Sequence, residues 1–195
     1  MVAPAPRGAM WACLRSDRTA SPSARSRAGW NRRSAPVSVP AFPDTDNPKQ
    51  DKWVEFLKKE AGSPDENLYL VGHSIGSAAI LRYLEGLKKG EQIGGVLFVA
   101  GFTENPGYKE VQSFFETPFD FGKIKQGALH FAAIFSDNDP HVDLKFADIF
   151  KEKLGAESQI LHNMGHFSGS IENEAACLEL PGAAEAILKM SGENS

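Results

Sequence analysis

The chain has 195 residues, 42% hydrophobic and 24% charged, with 18 Gly, 12 Pro and 2 Cys, which excludes a collagen-like repeat, a disulfide scaffold and a wholly disordered polymer. Its net charge of −4 hides a division: residues 1–35 hold seven Arg and one acid, Asp17, a balance of +6, whereas residues 36–195 hold 14 basic and 24 acidic side chains, a balance of −10. An acidic body offers phosphate backbones no broad attractive field, so no nucleic-acid partner is expected for the main domain.

No apolar run approaches the roughly 20 residues that a membrane-spanning helix needs, so no membrane span is expected. Cys13 and Cys177 are far apart and form neither a disulfide framework nor a metal-ligand spacing, which points to a reducing compartment. Residues 1–35, rich in Ala, Arg, Ser and Pro, show neither strand alternation nor a helical apolar stripe, and are read as a disordered or atypical N-terminal segment ahead of one domain over 36–195. A secretory signal is not visible. The expected location is cytoplasmic, or mitochondrial if the Arg-rich, nearly acid-free first 35 residues act as a transit peptide.

From residue 36 onward strands and helices alternate. Val37 to Phe42 reads as a short strand, and Trp53, Val54, Phe56 and Leu57 recur at helical spacing among lysines. Leu68 to Gly72 is apolar throughout, as a strand covered on both faces should be. Ala78, Ala79, Leu81, Leu84 and Leu87 then follow a helical pattern, with Gly90 as its expected stop. Gly95 to Ala100 and Leu129 to Phe135 are two further buried strands, the second leading into a charged helix near residues 144–154. Ser158 to His162 is a weaker strand. A last helical stretch runs from about Asn173 to Met190, where Pro181-Gly182 is expected to break or kink it. This alternation predicts an α/β fold: a mainly parallel sheet flanked by helices, with functional loops at the carboxyl ends of the strands.

Three such loops carry chemistry. Gly72-His73-Ser74-Ile75-Gly76 is a G-x-S-x-G motif between an apolar strand and a helix, a sharp turn that lifts a serine hydroxyl above the sheet edge. Ser74 then sits at a helix N-terminus, where the backbone N–H of Ile75 is the natural first oxyanion-hole donor. A serine is a poor nucleophile without a base, and the base needs a carboxylate to hold its tautomer. Ser136-Asp137-Asn138-Asp139-Pro140 closes one strand, and Met164-Gly165-His166-Phe167 follows the next. The order Ser74, Asp139, His166 is the Ser, acid, His order of α/β-hydrolases. Asp137 is the second candidate for the acid, and His73 reads as a supporting or packing residue. His162 and His166 stand four apart, but the intervening Asn-Met-Gly argues for a loop without a third ligand, so neither metal nor cofactor is expected.

The segments Gly72-His73-Ser74, Ser136 to Pro140 and Gly165-His166-Phe167, with Arg82-Tyr83 in the helix after the serine, resemble the small serine hydrolases of the retinoblastoma-binding protein 9 family, the YdeN-like α/β-hydrolases. The resemblance covers roughly residues 36–190. It implies an α/β-hydrolase fold with Ser74 as nucleophile, Asp139 as acid and His166 as general base. It also implies an aromatic wall to the substrate pocket, represented by Phe114, Phe115, Phe119 and Phe121, although core packing would use the same rings. Family members begin with a strand and a Gly-rich loop carrying a second oxyanion donor, and residues 1–35 contain neither recognisably. The pocket-protein-binding pattern of the Leu-x-Cys-x-Glu type is incomplete too, since Ala175 stands at the Leu position before Cys177-Leu178-Glu179.

The expected function is a metal-independent serine hydrolase that cleaves a small ester or amide through an acyl-enzyme. The alternatives are a non-catalytic interaction protein on the same scaffold, to which the missing first strand would point, and an acyltransferase. No protein partner is identified by the sequence.

Overall fold

The computed structural model describes residues 11–15, 37–168 and 179–192. Within them the strands are β1 (Trp11–Arg15), β2 (Val37–Ser38), β3 (Leu68–His73), β4 (Ile93–Val99), β5 (Ala128–Ser136) and β6 (Glu157–Leu161). The helices are α1 (Gln50–Ala61), α2 (Ile75–Glu85), α3 (Phe121–Gln126), α4 (Lys145–Leu154) and α5 (Pro181–Met190), with a 3₁₀ segment at Lys109–Phe115.

These strands form one sheet in the order β2-β1-β3-β4-β5-β6. The four strands from β3 to β6 are parallel in chain order, each joined to the next by a helical crossover, so their carboxyl ends share one edge. Strand β4 is buried along all seven residues, which explains why Ile93 to Val99 reads as an unbroken apolar run rather than an alternating one. Helices α1 to α4 touch in a row, and α5 packs on β4 and β5. The two layers lie on opposite faces. Phe98 meets Phe150 of α4 at 4.6 Å between ring centroids, while a Cβ on Gly95, three residues earlier, would come within 3.0 Å of Met190 Sδ on α5.

Helix α1 buries the stripe Trp53, Leu57 and Ala61, spaced four apart. The Trp53 ring stacks on Phe42 at 4.2 Å and its Nε1 donates to the Pro43 carbonyl at 2.8 Å, so the one polar atom of a wholly buried indole is satisfied. Burying each such large apolar side chain contributes about 1.5–3 kcal/mol. Arg82 on α2 is buried as well. Its guanidinium donates to the Phe114 and Thr117 carbonyls, pairs with Glu85 at 2.6 Å and lies 3.9 Å from the centre of the Phe119 ring. One planar fork thus ties residues 114–119 to α2.

The structure departs from the sequence reading at four places. Residues 11–15, read as part of a segment with no fold of its own, form β1, antiparallel to both β2 and β3. Five residues are too few for a period to show. Trp11 pairs with Gly72 and Arg15 with Leu68, so the chain enters β1 at the carboxyl end of β3 and leaves at the far end, the reverse of a parallel first strand. The expected strand at 37–42 shrinks to Val37–Ser38, because Pro40 has no N–H to add to a ladder. Helix α2 stops at Gly86, whose N–H reaches the Arg82 carbonyl, four residues before the expected Gly90. Pro181 begins α5 rather than breaking it, occupying the first turn, where a missing N–H costs nothing. The upstream part of that expected helix, and Cys177-Leu178, lie outside the described residues.

Candidate active site

Ser74 is the first residue after β3. Its backbone is at φ 53°, ψ −124°, a conformation that costs a non-glycine residue about 1–3 kcal/mol and recurs where strain serves function. Two features hold it there: its N–H donates to the Val99 carbonyl at 2.9 Å, and Ser77 Oγ donates to the Gly72 carbonyl at 2.9 Å. Gly72 has no alternative at the base of the turn, since a Cβ would sit 2.8 Å from Ile80 Cδ1 and 2.9 Å from the Gly76 carbonyl. The turn therefore presents Oγ while α2 starts at Ile75, so the Ile75 N–H is among the helix N–H groups without an intrahelical partner.

The three chemically suggestive side chains meet. Ser74 Oγ is 2.9 Å from His166 Nε2, and His166 Nδ1 donates to Asp139 Oδ2 at 2.9 Å and to Oδ1 at 3.1 Å. A carboxylate only accepts, so the proton resides on Nδ1 and Nε2 is left as acceptor toward Ser74. His166 is wholly buried and the Asp139 side chain is 2% exposed, which strengthens every charge interaction between them.

The strand-end sequence Ser136 to Asp139 moors the loop that carries His166. Ser136 Oγ accepts from the Met164 N–H at 2.9 Å, and Asn138 Oδ1 accepts from the Gly165 N–H at 2.8 Å. Asp137 accepts from the Asn163 N–H at 2.9 Å and from His162 Nδ1 at 2.6 Å. These bonds, first the Asn163 N–H and then His162, hold the Asp137 carboxyl below its ordinary 3.8. Asp137, the second candidate acid, is thus turned toward His162 and away from His166. Asp139 Oδ1 accepts two further bonds, from the His141 and Val142 N–H groups at 2.8 and 3.0 Å. From the other side, His73 Nε2 donates to the His166 carbonyl at 2.7 Å. The His73 ring also lies 4.9 Å from that of His166, so His73 steadies the loop that carries it.

Beside Ser74 lies a narrow cleft whose described lining is Ile75, Phe102, Pro106, Tyr108, Val111, His141 and Val142. The four phenylalanines expected as its wall are set back from it. Phe114 is fully buried against Trp53, while Phe115, Phe119 and Phe121 form a chain of ring contacts that reaches the cleft only through Phe102, 5.6 Å from Phe115. The 3₁₀ segment at 109–115 and the Arg82 clamp draw Phe114 and Phe119 into the core, and Phe115 and Phe121 pack half-buried beside Phe119. Tyr108 and His141 are the site features that sequence reasoning missed. Each stands within two residues of a motif or turn, at Gly107 and at Asp139, but their approach depends on a loop pairing that no spacing reveals. Among the described residues no group of three or more His, Cys, Asp or Glu could hold a metal ion, and no helix is long and apolar enough to cross a membrane. The expectation that residues 1–35 lack a recognisable Gly-rich loop with a second oxyanion donor concerns mostly residues outside the described ones.

Comparison with known proteins gives a consistent result. The pattern of the family described as serine hydrolase matches residues 27–174, a span that includes all three side chains. The hydrolase YdeN of Bacillus subtilis (strain 168) is 34% identical over 127 residues, 65% of this chain and 67% of that protein. Serine hydrolase RBBP9 of Rattus norvegicus is 26% identical over 151 residues, 73% of this chain and 78% of that one. The crystal structure of the B. subtilis ydeN product superposes with a TM-score of 0.68 at 29% identity, covering 78% of this chain and 81% of the other. That of a YdeN-like hydrolase from Pectobacterium atrosepticum gives 0.55 at 21% identity, covering 75% and 71%, a likeness of fold.

Proposed function

Because the chain belongs to the serine hydrolase family, and within it to the YdeN-like and retinoblastoma-binding protein 9 group, we propose that this enzyme cleaves a small ester or amide by acyl transfer through Ser74. His166 Nε2 takes the Ser74 proton as Oγ attacks the substrate carbonyl carbon. The resulting oxyanion is met by the Ile75 N–H, and one such donor lowers the barrier by about 2.7–4 kcal/mol. His166 then gives its proton to the departing alcohol or amine. Water attacks the acyl-enzyme with His166 again as base, which releases the acid and restores Ser74. Asp139 keeps the imidazole in the productive tautomer and stabilises the imidazolium. No step calls on a metal or cofactor.

The observation that supports this most is the continuous hydrogen-bonded path from Ser74 Oγ through His166 to Asp139, each contact at 2.9 Å. Covalent labelling by a fluorophosphonate probe tests it. Wild-type protein is expected to label and Ser74→Ala to resist; equal labelling of both overturns the assignment, and a folded wild type that takes no label favours an interaction protein on this scaffold. Excess alcohol or amine that diverts the acyl group from water would instead mark an acyltransferase.

A further inference from the structure

The cleft is almost wholly apolar, and the exceptions are placed with some care. Apart from Ser74, the polar side chains among its described lining are Tyr108 and His141, and they are joined: the Tyr108 hydroxyl lies 2.7 Å from His141 Nδ1. His141 is held at three points. Its backbone N–H is bound by Asp139 at 2.8 Å, its ring is gripped by Tyr108, and the same ring meets that of His166 edge to face, 4.9 Å between centroids. Tyr108 is fixed in turn by Asn105, whose Oδ1 accepts the Tyr108 N–H at 2.9 Å and whose Nδ2 donates to the Tyr108 carbonyl at 2.9 Å. Both side chains are half-buried, covered by protein on one side and open to the cleft on the other.

A tyrosine and a histidine carry exchangeable protons and lone pairs together, so a bonded pair can both donate to and accept from a third group. Two polar side chains held rigidly in an otherwise apolar cleft can orient a ligand by binding one part of it. Their position beside His166 decides which part of the ligand that is. His166 delivers its proton to the departing atom, so the ring packed against it stands next to the leaving group rather than the acyl group.

We propose that Tyr108 and His141 form a specificity pair that recognises a hydrogen-bonding substituent, a hydroxyl or amide, on the leaving group, so that the preferred substrates are short-chain esters or amides of polar alcohols or amines. The proposal rests on the hydrolase reading above. The test compares two acetate esters of nearly equal shape, propyl acetate and 2-hydroxyethyl acetate, which differ by a terminal methyl in place of a hydroxyl. Wild-type enzyme is expected to favour the hydroxyethyl ester in kcat/KM by about tenfold, the effect of one well-placed hydrogen bond. His141→Phe and Tyr108→Phe are each expected to bring that ratio to about one. A structural role would lower both esters together and leave the ratio where it was. Fluorophosphonate labelling separates the two ways of failing. Wild type that labels yet shows no preference, or variants that keep the preference, overturn the specificity pair alone; wild type that does not label overturns the hydrolase reading and the pair with it.

Discussion

Replacing Asp139 by Asn changes one atom in a buried contact and isolates the electronic part of the relay from the structural part. Asp139 Oδ1 binds the His141 and Val142 N–H groups while the carboxylate accepts from His166 Nδ1. An amide oxygen keeps the two backbone bonds, but its NH₂ then faces His166 and donates. The imidazole must carry its proton on Nε2, where it has no lone pair for Ser74. The expected loss in kcat is about 10³- to 10⁴-fold, equivalent to about 4–5.5 kcal/mol of barrier at 1.36 kcal/mol per decade. Stability should change little, whereas Asp139→Ala, which strips the acceptor from two backbone N–H groups, is expected to cost a further 2–4 kcal/mol or about 5–15 °C in Tm. Ester turnover at pH 8 with urea unfolding in parallel measures both. Asp139→Asn within tenfold of wild type would refute the tautomer argument, and an asparagine variant as unstable as the alanine one would refute the account of the loop.

Three further outcomes follow from the geometry. Gly72→Ala places a Cβ 2.9 Å from the Gly76 carbonyl, a backbone atom that cannot rotate aside; it should cost about 1–3 kcal/mol of unfolding free energy and slow Ser74 labelling, and normal labelling with normal stability would contradict it. Arg82→Lys retains a charge but loses the fork that serves two carbonyls and Glu85, with an expected destabilisation of about 2–4 kcal/mol in chemical denaturation; a neutral result would mean the 114–119 segment holds itself. Asp137 has its folded-state carboxyl pKa depressed below 3.8, so it favours the folded state above that value, and the contribution is lost as pH falls from about 4 through the lower folded value. Asp137→Asn should therefore flatten the acid limb of a stability-versus-pH curve, and an unchanged slope below pH 4 would count against the bond network drawn for it.

The buried parallel strands were readable because burial on both faces leaves a continuous apolar signature: Leu68, Ile93 and Ala128 open strands within two residues of where the apolar runs begin. The placement of Ser74, Asp139 and His166 at strand ends follows from the same alternation, because parallel strands deliver their loops to a common edge. What could not be read has a common cause. β1 is short and pairs with residues far along the chain, and a ladder partner leaves no trace in local periodicity. Phe114 and Phe119 carry the same aromatic signal whether they line a pocket or fill a core, and the deciding element is Arg82, more than 30 residues away. Tyr108 and His141 are separated by 33 residues and become neighbours only once the ends of β4 and β5 are side by side. Val37 to Phe42 misled because alternation alone does not count the N–H that Pro40 lacks.

The mooring of residues 162–166 by four successive side chains has a bearing on how such an enzyme changes over time. Asp139 and His166 travel as one body, so an insertion in either loop would displace both and spoil the proposed proton relay. The segment from Phe102 to Val111 precedes the stretch clamped by Arg82 and borders the cleft, its Tyr108 bonded to His141. New substrates are therefore most easily acquired by rewriting that segment, with the machinery across the cleft left as it stands.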